Sequence, residues 1–284
     1  MFWFVLYNGV FLPVLACLVF LSAIFLPKLR EGLKGRLQTY KKLKLFLEKK
    51  HTRNDIYWFH AASLGEFYQI KPIIEGMKKM KKENVMFISF SSPSGMNYAF
   101  SDAIDLKFYL PFDFPWTIQK MLTLVKPKKV IFATYDIWPN FVWFCKTKNI
   151  HLNVMSAKIG HYSIKYRPVI MNFYKSLYKL FDTIYTITEK DKNRFERMLG
   201  SKVNPVISAL GNPRFDKIFN ESKEFIESKP TIKDREQIIL IGSSHSKDDL
   251  ILIPALTNLM IDYPKLRIIH APHEANHNYI RNIK

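Results

Sequence analysis

Cysteine is nearly absent: the chain has two, Cys17 in an apolar run and Cys145 in an amphipathic stretch. Two cysteines build no disulfide framework and form no metal-ligand spacing, so a reducing, cytoplasmic setting is expected. Glycine is also scarce, at 10 of 284 residues, which excludes a collagen-like or low-complexity chain. No internal repeat or biased tract interrupts the sequence. Acidic residues are in deficit, 24 against 43 Lys and Arg, and the net charge of +19 calls for acidic partners. Nucleic acid, anionic lipid and phosphorylated sugars all satisfy that condition. Hydrophobic residues at 48% describe a globular protein with an apolar addition.

The addition is at the start. Residues 1–27 carry no charged side chain, and about 20 apolar residues suffice to cross a bilayer. Pro13 is expected to disturb the helix, and Trp3 and Tyr7 suit an interfacial aromatic position. No Lys or Arg precedes the run and no small-x-small site ends it, so an uncleaved anchor is expected rather than a signal peptide. Lys28, Arg30, Lys34, Arg36, Lys41, Lys42, Lys44, Lys49 and Lys50 follow, against only Glu31 and Glu48. Residues 28–54 therefore read as a basic juxtamembrane segment that keeps the body in the cytoplasm and binds anionic lipid.

From residue 55 apolar runs at 55–60, 84–90, 105–110, 129–134, 150–155, 183–188 and 203–207 alternate with helix-length segments at 66–82, 115–125, 138–148, 162–180 and 189–199. Strands alternating with helices predict an α/β fold, a doubly wound parallel sheet in a Rossmann-like domain over 55–210. Asn204-Pro205 and Gly211-Asn212-Pro213 then break the rhythm and predict a linker. A helix at 214–228, strand 237–242, helix 246–262 and strand 265–271 open a second α/β domain over 211–284. Roughly 70 residues fall short of a usual domain of about 100–150, so this domain is expected to be incomplete.

Four polar turns follow predicted strands. His60-Ala61-Ala62-Ser63-Leu64-Gly65-Glu66 places a carboxylate at a helix mouth, where open α/β sheets bind ligands. Ser63 and Glu66 also satisfy a capping box, with Gly65 allowing a tight turn; the alternative to capping is a general base. Ser91-Ser92-Pro93-Ser94-Gly95 suits phosphate or sugar hydroxyls, or an ordinary turn. Asp136-Ile137-Trp138-Pro139-Asn140 opens a helix, and Gly242-Ser243-Ser244-His245 forms an anion cradle or a solvated cap. His273-Glu274-Ala275-Asn276-His277 matches a zinc-hydrolase pattern, but only seven residues follow His277 to supply a third ligand. No metal site is expected.

The ordered set His60–Glu66, Ser92-Pro93-Ser94-Gly95, Tyr109–Asp113, Asp136–Asn140, Gly211–Asp216 and Gly242–His245, behind an apolar start, resembles the 3-deoxy-D-manno-octulosonic acid (Kdo) transferases, glycosyltransferase family 30. The resemblance runs the length of the chain. It implies a GT-B architecture, with the acceptor on the first domain and the donor CMP-Kdo on the second. It implies inverting transfer of Kdo to a lipid A precursor at the cytoplasmic face of the inner membrane, with Glu66 as catalytic base and no metal, cofactor or nucleic acid. Ser63, Gly65, Ser94, Gly95, Asp136 and Asn140 fall to acceptor binding; Asn212, Ser243, Ser244 and His245 fall to donor binding. The family's Glu-Thr-Glu corresponds here to Ala133-Thr134, Tyr135 and Asp136. The resemblance also implies a donor domain extending beyond Lys284. Two other readings stay open: another GT-B lipid-sugar transferase, or an inactive anchored fragment that binds lipid or a partner.

Overall fold

The computed structural model describes residues 1–50, 54–134, 136–160, 167–200, 205–227, 237–273 and 281. Asn204, Tyr135, Glu274–His277 and the first residues of the predicted segments 162–180 and 203–207 lie outside them. The chain divides into two compact units, Met1–Lys223 and Glu224–Lys284.

In the first unit, strands β1 (Ile56–Ala61), β2 (Val85–Phe90), β3 (Leu106–Tyr109), β4 (Lys129–Phe132), β5 (His151–Ala157), β6 (Thr183–Thr186) and β7 (Val206–Ala209) form one sheet in the order β3-β2-β1-β4-β5-β6-β7. Every pairing is parallel. Helices α4 (Leu64–Met80), α5 (Pro93–Tyr98), α6 (Pro115–Val125), α7 (Pro139–Thr147), α8 (Pro168–Tyr178) and α9 (Glu189–Leu199) make the crossovers. Both faces are buried, as a parallel sheet demands. Successive residues of one strand enter opposite cores: Trp58 and Phe87 pack with Phe108, Phe132 and Phe141, while Phe59 and Ile88 pack with Phe67, Ile70 and Phe90. The strand order reverses between β1 and β4, so their carboxyl ends flank the switch point where such sheets bind ligands.

The apolar start is one continuous helical rod: α1 (Phe2–Leu6), a π-helical stretch Tyr7–Phe11, and α2 (Leu12–Phe25). The disturbance expected at Pro13 appears as this widened turn, since proline lacks an N–H and crowds the carbonyl four residues back. The rod is long and apolar enough to cross a membrane. It is also docked on the body, because Tyr7 and Leu12 are only 5% and 6% exposed.

The basic segment is a 24-residue helix, α3 (Pro27–Lys50). Gly32, Thr39 and Leu43 face inward, and Thr39 Oγ1 donates to the Tyr109 carbonyl at 2.9 Å. A Cβ on Gly35 would collide with the Tyr109 ring, so glycine is what permits this close crossing.

Helix α10 (Pro213–Glu227) contains the boundary between the units. The second unit holds the parallel pair β8 (Ile238–Ser244) and β9 (Arg267–Pro272), joined through α11 (Ser246–Asp262). Ile238, Leu240 and Ile269 are exposed on it.

Candidate functional site

The carboxyl ends of β1 and β4 converge on Glu66. Ser63 is the N-cap of α4 but makes no side-chain capping bond, and Glu66 does not reach back to the Ser63 N–H. The capping box is not formed. Instead Glu66 Oε2 accepts the Ala62 N–H at 2.7 Å and Oε1 accepts the Thr134 hydroxyl at 2.6 Å. The carboxylate thus bridges the ends of the two strands at the switch point, and it remains partly exposed. Gly65 has no positive φ, and a Cβ there would meet only Ser63 Oγ at 3.8 Å. The chain does turn tightly, from strand to helix across Ala62 and Ser63, but without a left-handed φ at Gly65, and what glycine leaves is open space beside Glu66.

Beside Glu66 lies a second polar group. His60 Nε2 stands 3.1 Å from Asp136 Oδ2, while its Nδ1 faces Ser89. The same Asp136 oxygen accepts from Ser91 Oγ at 2.8 Å and from Trp138 Nε1 at 3.2 Å. Burial pushes the Asp136 carboxyl up, but the bond and proximity of His60, then Ser91 and Trp138, outweigh burial and hold it below the ordinary carboxylate range. His60 is 1% exposed, whereas Asp136 and Glu66 are partly open to solvent. Arg36, from α3, donates to the Ser91 carbonyl at 2.9 Å. Burial lowers its guanidinium from its ordinary value, and nearby Tyr109 and Asp136 oppose that shift.

The sequence profile described as "3-Deoxy-D-manno-octulosonic-acid transferase (kdotransferase)" matches residues 31–217, which holds β1 through β7 and this whole group. The chain belongs to that family. Curated Kdo transferases are similar over most of it. The Aquifex aeolicus protein is 27% identical over 81% of this chain and 58% of its own length. The Haemophilus influenzae protein is 23% identical over 95% of this chain and 63% of its own length. The chain therefore spans about three fifths of these relatives. A solved structure described as a putative UDP-N-acetylglucosamine 2-epimerase from Listeria monocytogenes aligns with a TM-score of 0.53 at 12% identity, over 81% of this chain and 65% of that one. At that identity the likeness is one of fold, and it agrees with the GT-B type expected.

The remaining residues singled out from the family's motifs fall into distinct settings. Ser94 is exposed and bonds Ser92 at 2.9 Å. Gly95 is buried, and a Cβ there would collide with the Phe90 ring, so it serves packing. Asn140 is 0% exposed and spent on other partners. Its amide exchanges hydrogen bonds with Asn8 at 3.0 and 2.8 Å and also donates to the Asp113 carbonyl. Asp113 accepts the Tyr7 hydroxyl at 2.9 Å and the N–H groups of Asn140 and Phe141 at 3.0 Å. Asn212 caps α10 by accepting the Arg214 N–H at 3.1 Å.

In the second unit, Ser243 Oγ lies 2.9 Å from His273 Nδ1, Ser244 Oγ lies 2.6 Å from His270 Nε2, and the His245 N–H donates to Asp248 at 2.9 Å. Ser243 and His245 are exposed at the carboxyl end of β8, and Ser244 is buried.

Sequence reasoning placed Ser91 in a polar turn without its partner Asp136, assigned no site role to Thr134 or Arg36, and did not foresee the pairing of His60 with Asp136. Three of these residues lie within two positions of a strand end, and that position was the available signal.

Proposed function

We propose that this chain carries the acceptor side of an inverting glycosyltransferase that moves Kdo from CMP-Kdo to a sugar hydroxyl of a lipid A precursor, in lipopolysaccharide core biosynthesis. Glu66 is the catalytic base. It takes the hydroxyl proton as the acceptor oxygen bonds to the anomeric carbon of Kdo; the carbon–oxygen bond to CMP breaks, CMP leaves with the electron pair, and the configuration inverts. The observation that supports this most is the placement of Glu66, with each carboxylate oxygen accepting one fixed donor, Ala62 N–H or Thr134 hydroxyl, and keeping a second lone pair for a substrate.

Ser63, Ser94 and Asp136 are proposed to contact the acceptor. Gly65 leaves it room, and Gly95 and Asn140 support the site from beneath. Asn212, Ser243, Ser244 and His245 are assigned to the donor. The apolar rod and the lysines after it favour an anchor in the inner membrane with the body on the cytoplasmic face, against anionic lipid.

The test is Glu66→Gln in the full-length protein, assayed with CMP-Kdo and lipid A precursor. General-base loss is expected to lower kcat by about 100- to 10,000-fold with little change in acceptor affinity. Unchanged turnover would exclude the assigned role.

A further inference from the structure

Between the amino-terminal rod and α8 lies an apolar cavity of about 510 Å³. Leu6, Val10 and Val14 form one wall; Val169, Ile170 and Phe173 form the other. The two walls are held apart by rings rather than collapsed onto each other. Trp3 meets Phe173 edge-on at 5.4 Å, and Tyr7 stacks on Phe173 at 6.2 Å. The Tyr7 hydroxyl is already committed to Asp113. Among the described residues no charged side chain lines the cavity.

That lining discriminates strongly. A phosphate, a sugar or a nucleotide would give up its water there without recovering hydrogen bonds, at a cost no apolar wall repays. An alkyl chain loses nothing, and each methylene taken from water is worth about fourfold in binding. The volume lies within the usual range of ligand cavities, about 300–1,000 Å³. Val10, Val14 and Val169 on its rim are more than half exposed, so the cavity opens outward on an apolar border.

Its other end approaches the catalytic edge. Tyr7, also in the lining, bonds Asp113, Asp113 accepts the Asn140 N–H of the turn that carries Asp136, and Asp136 is bonded to His60 and Ser91. Arg36 reaches Ser91, beside Asp136, from the basic helix α3 and offers one cation to a phosphorylated head. A molecule with its sugar at Glu66 and its tail in the cavity meets a matching surface at both ends. We infer that the cavity between the amino-terminal rod and α8 holds an alkyl chain of the lipid acceptor. The inference rests on the function proposed above.

The test uses the full-length protein with Val10→Trp, which fills the cavity from its rim, and Val169→Arg, which places a charge at its mouth. Two acceptors are compared, the acylated lipid A precursor and the same phosphorylated disaccharide stripped of its chains. Binding of cis-parinaric acid is followed in parallel by fluorescence. Both variants are expected to lower kcat/KM for the acylated acceptor at least about tenfold through KM, the affinity of roughly two buried methylenes. Their turnover of the stripped acceptor and the parent kcat should be unchanged, and parinaric acid binding should fall in step. Equal losses on both acceptors, or none on either, would overturn the inference. A loss confined to attachment to phospholipid vesicles would do so too, by placing a bilayer lipid in the cavity. If the parent protein transfers Kdo to neither acceptor yet binds parinaric acid in a variant-sensitive way, the proposed function fails while the alkyl site stands. Absence of both fails both.

Discussion

Glu66 owes its position to a hydroxyl on another strand end. Thr134 is 68 residues away in sequence, and its bond to Oε1 at 2.6 Å stops the carboxylate from folding back onto its own helix cap. Thr134→Val keeps the shape and removes the donor. A typical hydrogen bond contributes about 0.5–1.5 kcal/mol, so kcat should fall about two- to twelvefold, and Thr134→Ser should restore it. Rescue by serine separates positioning from packing; failure of serine to rescue would assign Thr134 to packing alone. Glu66 was visible as a candidate, because a carboxylate three residues after a serine at a strand-to-helix turn is either a cap or available to a ligand. The Thr134 bond that holds it away from the cap was not, since nothing local connects Thr134 to it. The same holds for His60 and Asp136, 76 residues apart and joined only when β1 and β4 lie side by side.

At the level of elements, periodicity was a good guide where burial alternates with helix-length segments. The strands and crossovers lie close to their expected positions, and the parallel order follows. Helix α5 was hidden inside a stretch whose Ser-Pro-Ser-Gly reads equally as a turn. The inward face of α3 was hidden because its first half is built from Gly32, Gly35 and Thr39, and large apolar residues (Tyr40, Leu43, Phe46 and Leu47) take over only in its second half. The docking of the apolar rod was hidden too, since Trp3 and Tyr7 read as interfacial aromatics of an anchor. Tyr7's partner Asp113 is fully buried, and burial pushes its carboxyl up to about 7 despite the N–H groups and hydroxyl that favour its charge. A folded pKa raised above the ordinary 3.8 gives stability that is full at low pH and is lost as pH rises through about 7. Thermal unfolding should therefore show a less stable protein at pH 8 than at pH 5, and Asp113→Asn should flatten that difference. A parent curve that rises from pH 5 to pH 8 would contradict the buried-acid assignment.

For the molecule as a whole, the rod is a structural member as well as an apolar one. Deleting residues 2–25 would uncover Asp113, Asn140 and the rings of Trp143 and Phe173. Stranding two buried polar groups at about 1–3 kcal/mol each should lower Tm by roughly 5–20 °C in a unit of this size. What membrane attachment remains would rest on the lysines of α3 and should be released by salt. Calorimetry and vesicle sedimentation at two ionic strengths check both outcomes; a truncated protein as stable as the parent would show that the polar contacts carry no load. The net charge was readable from composition, but its division of labour was not. Of the basic residues in α3, Arg36 turns inward to the Ser91 carbonyl, and Lys50 pairs with Asp105 at the far end of the helix.

The bonds from Tyr7 and Asn8 to the body have one more consequence. A domain on a flexible leash samples every orientation above a surface, whereas one bolted to its own anchor keeps a single tilt and a single height. On the proposed membrane, Glu66 would sweep a plane at constant altitude, meeting acceptors by lateral drift alone. Head-group length then becomes a filter: a lipid whose sugar stands too tall or too short would pass the carboxylate without ever aligning with it.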